Sequence, residues 1–433
     1  MTLKVAFHTL GCKVNYYETE ALKGKFRDDG FEVVDFQDLA DVYVVNTCTV
    51  THQADRKSRQ IIRRAKRRNP AALVAVTGCY AEVSPKDISS LPEADIILGT
   101  QNRLSLTQLI KRKITGDGAA VTVNPAQKER EFEDMPWMPE QGRARAFLKI
   151  QDGCDQRCSY CIVPLARGPV RSLPLAKGIE YLNEISSHGY EEVVLSGIHL
   201  GVYGRDLQPA ADLASFLEKA VMVKGIKRIR LSSIEPTDFD DKLIKVIAAN
   251  EKICRHLHIP LQSGDNSILK AMGRPYNNTF FSGLINSLRD LLPDLAVSTD
   301  IMVGFPGEED GHFLSSFDFV KSCSFSRLHV FKFSPRRGTL AETMDGQVAP
   351  EVKDERSGKM IALGEELASI YQEKFLGREL SVLFEKLLDE GMLEGLTSNY
   401  LRVRVYGPEK LRGQIGNVLI KESCGGYLKG SLV

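Results

Sequence analysis

The sequence predicts an α/β protein in three parts: an N-terminal parallel α/β domain, a central partial (βα)6 barrel and a small C-terminal all-β barrel. Three observations lead there. Short β-branched runs alternate with amphipathic helical stretches over residues 1–115 and again over 144–375, the pattern of parallel sheets covered by helices. Residues 116–143 lose that periodicity and carry Gly116, Gly118, Pro125, Pro136 and Pro139, which marks a linker. Over 376–433 the helices stop and short strands alternate with glycines, as in a small closed barrel.

In the first part the strands are expected at residues 4–9, 42–46, 73–77 and 94–98. Trp137, in the linker, is expected to pack onto a neighbouring domain. In the second part they are expected at 147–150, 192–195, 228–232, 257–261, 297–303 and 328–333, followed by a long helix near 351–375. Six strand-helix units are too few to close an eight-stranded barrel, so the barrel is expected to be partial, with its site at the carboxyl ends of the strands. The third part reads as strands at 382–386, 401–406 and 418–421, punctuated by Gly391, Gly395, Gly407, Gly413, Gly416, Gly425 and Gly426.

Composition narrows the class. The chain has 433 residues, 43% of them hydrophobic and 26% charged, and no apolar run approaches the ~20 residues that span a bilayer. The N-terminus reads as a buried strand rather than a signal peptide, so a cytoplasmic protein without a membrane role is expected. In such a reducing compartment nine cysteines are thiolate ligands or core residues before they are disulfides. The formal net charge is only +1, yet residues 1–115 hold eighteen Lys and Arg against thirteen Asp and Glu. That local excess points weakly to a polyanionic partner.

The cysteines carry most of the information. Cys154, Cys158 and Cys161 stand in C-x3-C-x2-C spacing directly after the first strand of the barrel. Three thiolates on one cubane leave one iron open, and S-adenosylmethionine can occupy that position through its amino and carboxylate groups. A zinc site or three unrelated core thiols are the alternatives. Zinc, however, asks for four close ligands, and no fourth Cys or His follows nearby. Cys12, Cys48 and Cys79 are scattered in sequence, but each follows a strand of the N-terminal sheet. Parallel strands bring such ends side by side, so the three can converge on one ligand, with Gly11 and Gly78 giving the backbone room. Taken singly, each is better read as a buried core thiol. Cys254, Cys323 and Cys424 fit no motif.

The loop from Gly153 to Cys161, continued by Ile162-Val163-Pro164-Leu165-Ala166-Arg167-Gly168, resembles the radical S-adenosylmethionine motif of the methylthiotransferase family. So do Thr9-Leu10-Gly11-Cys12-Lys13-Val14-Asn15, Asn46-Thr47-Cys48-Thr49-Val50-Thr51 and Thr77-Gly78-Cys79-Tyr80-Ala81 in the N-terminal part. The tail is similar to the small RNA-binding barrel called TRAM. The resemblance implies two 4Fe-4S clusters, one on each cysteine triad, with S-adenosylmethionine as both methyl donor and radical source. It places Tyr160 near the cofactor adenine and Gly197 near the methionine amino group, and it makes Glu235, Gln262 and Asp300 candidates for ribose or amine contacts. No catalytic residue beyond the cluster ligands is assigned.

Within the family, Gly11-Cys12-Lys13-Val14-Asn15 and Ile150-Gln151-Asp152-Gly153-Cys154 look like the branch acting on tRNA N6-threonylcarbamoyladenosine. Tyr16 and Leu165 depart from that branch, which commonly has Gln and Tyr there. Implied partners are tRNAs decoding ANN codons, an external electron donor such as flavodoxin or ferredoxin, and a sulfur source. The branches acting on isopentenyladenosine tRNA or a ribosomal protein, a one-cluster radical methylase, and a non-enzymatic metal-dependent RNA-binding protein are the competing readings. RNA contacts are expected from Arg56, Lys57, Arg59, Arg63, Arg64, Lys66 and Arg67 on one basic helix, and from Arg402, Arg404 and Arg412 in the tail, against the plainer reading of solvated faces.

Overall fold

The structure is a computed structural model that describes residues 2–116, 121–122, 131–140 and 142–433. Gly118 and Pro125 of the expected linker lie outside the described residues. The chain divides into two compact units, one formed by Met1–Pro139, Lys149–Leu173 and Ser334–Glu342, the other by Glu140–Leu148, Pro174–Phe333 and Thr343–Val433. Among the described residues no helix is long and apolar enough to cross a membrane.

The first unit is built on a six-stranded parallel sheet. Its strands are β1 (Lys4–Thr9), β2 (Glu32–Val34), β3 (Val42–Thr47), β4 (Leu73–Gly78), β5 (Ile96–Leu98) and β6 (Val121–Thr122), in the order β2-β1-β3-β4-β5-β6. Interleaved helices are α1 (Lys13–Asp28), α2 (His52–Arg68), α3 (Cys79–Val83), α4 (Pro85–Ser89) and α5 (Leu106–Ile114). Every residue of β3 is buried, as a central parallel strand covered on both faces requires. The expected linker departs from its reading in two ways. One is β6, paired with β5; the other is that Met135 as well as the expected Trp137 is buried.

Residues 149–173, which hold the cysteine loop, belong to this same unit. After β7 (Arg145–Lys149), the short strand β8 (Gln151–Asp152) pairs antiparallel with β9 (Arg171–Ser172), and α6 (Val163–Arg167) lies between them. The β8-β9 pair closes the base of the loop that carries Cys154, Cys158 and Cys161.

In the second unit, α7 (Leu175–Ser187), β10 (Glu192–Ser196), α8 (Leu213–Ala220), β11 (Arg228–Leu231), α9 (Asp241–Ala249), β12 (His256–His258), α10 (Asn266–Ala271), α11 (Asn278–Leu291), β13 (Ala296–Val303), α12 (Asp310–Ser322), β14 (Arg327–Lys332) and α13 (Pro350–Glu373) continue the alternation. The strands form two three-stranded sheets, β11-β10-β7 and β12-β13-β14, joined by a single bridge between Ile229 and Ile253. These are the six units of the expected partial barrel.

The tail closes into a five-stranded barrel, β15 (Glu379–Leu387), β16 (Met392–Thr397), β17 (Arg402–Tyr406), β18 (Ile415–Ser423) and β19 (Leu428–Leu432), in the order β15-β16-β17-β19-β18. Two glycines that read as punctuation lie inside strands. A Cβ on Gly395 would strike Leu383 and Val382 of β15, and one on Gly416 would press on the Phe384 ring, so both mark close backbone approach. Valines and leucines fill this barrel, and Tyr371 and Phe375 join its core.

Buried charge fixes the small barrel to the strands beside it. Glu192 on β10 accepts from Arg230 Nε at 2.8 Å, while Arg230 donates to the Thr397 and Ser398 carbonyls at 3.1 and 3.0 Å. Arg228 donates to the Leu396 carbonyl at 3.0 Å and to Ser381 Oγ at 2.8 Å. Removing one member of a buried pair strands the other's charge, at a cost of about 3–5 kcal/mol. Arg230→Ala is therefore expected to lower the thermal midpoint of the full chain by several degrees, and an unchanged midpoint in a melting scan would contradict this role.

Candidate functional site

The N-terminal cysteines come together because the sheet is parallel and its central strands are adjacent. Thr9 pairs with Asn46, Asn46 with Thr77, and Thr47 with Gly78. The next residues of all three chains therefore leave the sheet at one edge, carrying Cys12, Cys48 and Cys79. Gly11 and Gly78 have φ of +105° and +95°. A Cβ on Gly11 would lie 3.0 Å from Cys48 Cβ, and one on Gly78 would lie 2.6 Å from the Thr47 carbonyl oxygen. Only glycine lets the first turn pass this close to Cys48.

Burial dominates the electrostatics of the two inner thiols. Burial pushes Cys79 up to about 12, with Arg167 opposing and Cys48 and Cys12 adding to the rise. Cys48 is raised for the same first reason. Cys12 is exposed and forms the N-cap of α1, whose first turn has no side-chain cap.

The loop cysteines are held from outside by backbone. Cys154 N donates to the Gly168 carbonyl at 3.0 Å, Cys161 N to the Cys158 carbonyl at 3.1 Å, and Gln156 N reaches Cys154 Sγ at 3.4 Å. Segment 334–342 braces both triads. Ala341 N donates to the Ser159 carbonyl at 2.8 Å. Arg336 Nη2 donates to Asp55 at 2.6 Å and to Thr49 Oγ1 at 2.7 Å, directly after Cys48.

A network that the sequence reading did not identify joins the two triads. Arg167, on α6 behind the loop, donates from Nε to Cys79 Sγ at 3.3 Å, from Nη1 to Glu18 at 2.6 Å and from Nη2 to Asn15 Oδ1. Glu18 also pairs with Arg103 and, at 3.1 Å, with Lys149. Asp152 receives Lys149 at 3.3 Å and Arg167 at 3.4 Å. Glu18, Arg103, Lys149, Arg167 and Asp152 are all buried. The signal available in sequence was the pair Asn15 and Glu18, one turn apart on α1, and the Arg167 that follows the cysteine loop.

The donor sets suit clusters better than single ions. Tetrahedral zinc–thiolate bonds of about 2.3 Å would draw three sulfurs to within roughly 4 Å of one another. Among the described residues the one His, Cys, Asp or Glu trio with ligand atoms within 4.8 Å is His258, Asp300 and His329, so neither cysteine triad is drawn in that tightly. Each triad offers three thiols, a donor set that could hold a cubane with one open iron.

The remaining expected residues are placed as follows. Tyr160 is half-buried within the loop, and Gly197 immediately follows β10. Glu235 is paired with Arg274, which also donates to Tyr276 Oη at 3.0 Å. Gln262 has φ of +70°, and its N–H donates to the Asp300 carbonyl at 2.8 Å. Asp300 itself lies within β13, three residues before its end, and bonds His258 and His329. Burial raises its carboxyl, but these imidazoles hold it below the usual carboxylate range.

On α2, Arg59 donates to Tyr80 Oη, Arg63 pairs with Glu93, Arg64 bonds Gln37 and Lys66 pairs with Asp95. Arg56, Lys57 and Arg67 are exposed. Arg402 and Arg404 both pair with Glu394, and Arg412 donates to the Glu385 and Gly142 carbonyls. Tyr400 stacks on His256 with centroids 4.5 Å apart and lies under Arg230.

Comparison with known proteins agrees with this arrangement. Residues 4–99 match the uncharacterized protein family UPF0004, and residues 148–320 match the radical SAM superfamily. A Bacillus subtilis protein, threonylcarbamoyladenosine tRNA methylthiotransferase MtaB, is 43% identical over 99% of this chain and 96% of its own length. The chain belongs to the radical SAM methylthiotransferase family. A second methylthiotransferase relative, the tRNA-2-methylthio-N(6)-dimethylallyladenosine synthase of Thermotoga petrophila, is 33% identical over 98% of this chain and 96% of its own. The radical S-adenosylmethionine methyltransferase TsrM from Kitasatospora setae shares the fold, with a TM-score of 0.60 and 16% identity over 79% of this chain and 74% of that one. As a radical SAM methylthiotransferase, the chain is an enzyme that works with S-adenosylmethionine and iron-sulfur chemistry.

Burial raises the Glu18 carboxyl, but Arg103, Arg167 and Lys149 together hold it down to about 2, against 4.5 for the free group. A depressed folded-state value contributes stability above pH about 4.5 that is lost as pH falls towards about 2. Glu18→Gln is expected to cost roughly 3 kcal/mol at neutral pH and to flatten the acid limb over that window. Denaturant titrations across pH check this, and a variant with the same acid limb as the native chain would refute it.

Proposed function

We propose that this enzyme converts N6-threonylcarbamoyladenosine at position 37 of tRNA, next to the anticodon, to its 2-methylthio derivative. The observation that carries this reading is the placement of six cysteines, two sets of three, in one compact unit around one buried network. The name of the Bacillus subtilis relative, more similar than the dimethylallyladenosine synthase, supports the substrate.

In this reading Cys154, Cys158 and Cys161 hold a 4Fe-4S cluster with one open iron, and Cys12, Cys48 and Cys79 hold a second. Bound there, such clusters would supply one-electron reduction of S-adenosylmethionine and a site for the sulfur that is transferred. The chain's own groups position and shield. Tyr160 covers the adenine, the backbone at Gly197 meets the amino group, and Gln262 and Glu235 lie at neighbouring strand ends. Arg167 places a fixed positive charge on Cys79 and so favours its ionised form as a ligand.

Arg56, Lys57 and Arg67 offer the outward charge of α2 to the phosphates, while the tail barrel supplies further RNA surface. The other basic residues of α2 and the tail arginines are held by protein groups and act, in this reading, after rearrangement or not at all. Substrates are tRNAs decoding ANN codons, with an external donor such as flavodoxin or ferredoxin and a separate sulfur source, in the cytoplasm.

The deciding experiment is nucleoside mass spectrometry of tRNA from cells lacking the gene, where the 2-methylthio derivative should disappear; its persistence without a redundant enzyme would sink the substrate assignment. Anaerobic reconstitution is expected to give about eight irons per chain, against about four for a one-cluster enzyme. Cys12→Ala should keep 5′-deoxyadenosine formation yet lose methylthiolation, whereas Cys158→Ala should lose both; equal loss of cofactor cleavage would argue against divided roles. Replacing Arg56, Lys57 and Arg67 together by Gln should weaken tRNA binding and flatten its salt dependence by up to about three counterions.

A further inference from the structure

Outside the cysteine unit, the sheet β12-β13-β14 carries a separate cluster. Ser298 faces His258 across the β12-β13 pair, and Asp300 faces His329 across the β13-β14 pair. Alternation puts Ser298 and Asp300 on one face of β13, opposite the buried Thr299, Ile301 and Val303. His258 Nε2 and His329 Nδ1 both lie 3.2 Å from Asp300 Oδ1, and the two imidazoles stack with centroids 5.2 Å apart.

We propose that His258, Asp300 and His329 bind a divalent first-row transition-metal ion, of which Zn²⁺ is the probe. Two imidazoles and one carboxylate from three neighbouring strands form a facial set that leaves positions open to water or to an oxygen ligand. The support of the set is that of a ligand sphere. His258 Nδ1 bonds Ser298 Oγ at 2.9 Å, and the same oxygen meets His256 Nε2 at 2.9 Å. That outer bond fixes the ring with Nε2 turned to Asp300, as the second nitrogen of a metal-bound histidine is ordinarily fixed. Access is open, since the side chains are 13%, 26% and 39% exposed for His258, Asp300 and His329. The ligand set contains no sulfur, so it selects an ion of nitrogen and oxygen preference and does not compete with the cysteine triads for a cluster.

The test uses the full chain with its clusters reconstituted anaerobically, so that the six cysteines are occupied by iron. Equilibrated with Zn²⁺ and desalted, the enzyme is expected to retain about one zinc per chain, with a zinc-edge absorption spectrum showing nitrogen and oxygen neighbours and no sulfur. His329→Ala and Asp300→Asn should each weaken zinc binding at least about tenfold while iron content and far-ultraviolet dichroism stay unchanged. His329 is the most exposed of the three, so its variant carries the comparison should Asp300→Asn fail to fold. Failure of the reconstituted enzyme to retain zinc, sulfur in the zinc shell, or undiminished binding by His329→Ala would each overturn the proposal.

Discussion

The first unit turns on one buried guanidinium. Arg167 sits in the segment that follows the cysteine loop, yet its partners are Cys79, Glu18 and Asn15 of the N-terminal sheet and helix. Burying a charge in a dry interior is tolerable only with close counter-charge and full hydrogen bonding. Glu18 and Asp152 provide the first, shared with Arg103, Lys149 and Arg171, and Glu133 adds a further carboxylate on Arg103. Because removing any one member leaves the others uncompensated, residues 149–173 are locked to the N-terminal sheet rather than merely adjacent to it.

That lock has a chemical consequence. Under the proposed function, radical generation and sulfur delivery fall to two centres that need a fixed relation, since a group misplaced by about an ångström can lose much of its rate. Here the loop bearing Cys154, Cys158 and Cys161 and the strand ends bearing Cys12, Cys48 and Cys79 share one network and a common brace in segment 334–342. Arg336 reaches Asp55 beyond Cys48, and Ala341 reaches Ser159 inside the loop. The same segment thus restrains both triads from the far end of the barrel sequence.

A parallel logic of buried charge holds the second unit. Arg228 and Arg230, both paired with Glu192, donate to carbonyls and a hydroxyl of the small barrel, and Tyr400 packs against His256 and Arg230. Of the tail arginines read along the chain as RNA candidates, Arg402 and Arg404 pair with Glu394 and Arg412 donates to the Glu385 and Gly142 carbonyls. On α2, Arg56 and Lys57 near its start and Arg67 near its end stay exposed.

Local pattern was enough for much of this protein. Short β-branched runs located the N-terminal strands β1, β3 and β4 and the six barrel strands within a few residues, because strands buried on both faces of a parallel sheet are written as continuous apolar stretches. The C-x3-C-x2-C loop was equally legible, since its ligands are local. Cys12, Cys48 and Cys79 could be connected only by assuming that parallel strand ends converge, and the observed register bears out that convergence. Strand β16 and the start of β18 were obscured by Gly395 and Gly416, which read as turns but serve close packing. What tertiary structure alone decided is which distant charges share a low-dielectric interior. Nothing in the spacing of Glu18, Arg103, Lys149 and Arg167 links them, for a buried ion pair is specified by the fold that excludes water from it. The sequence by itself determined the strands and the loop thiols, whereas the partners of Arg167 and the meeting of His258, Asp300 and His329 exist only once the sheets are assembled.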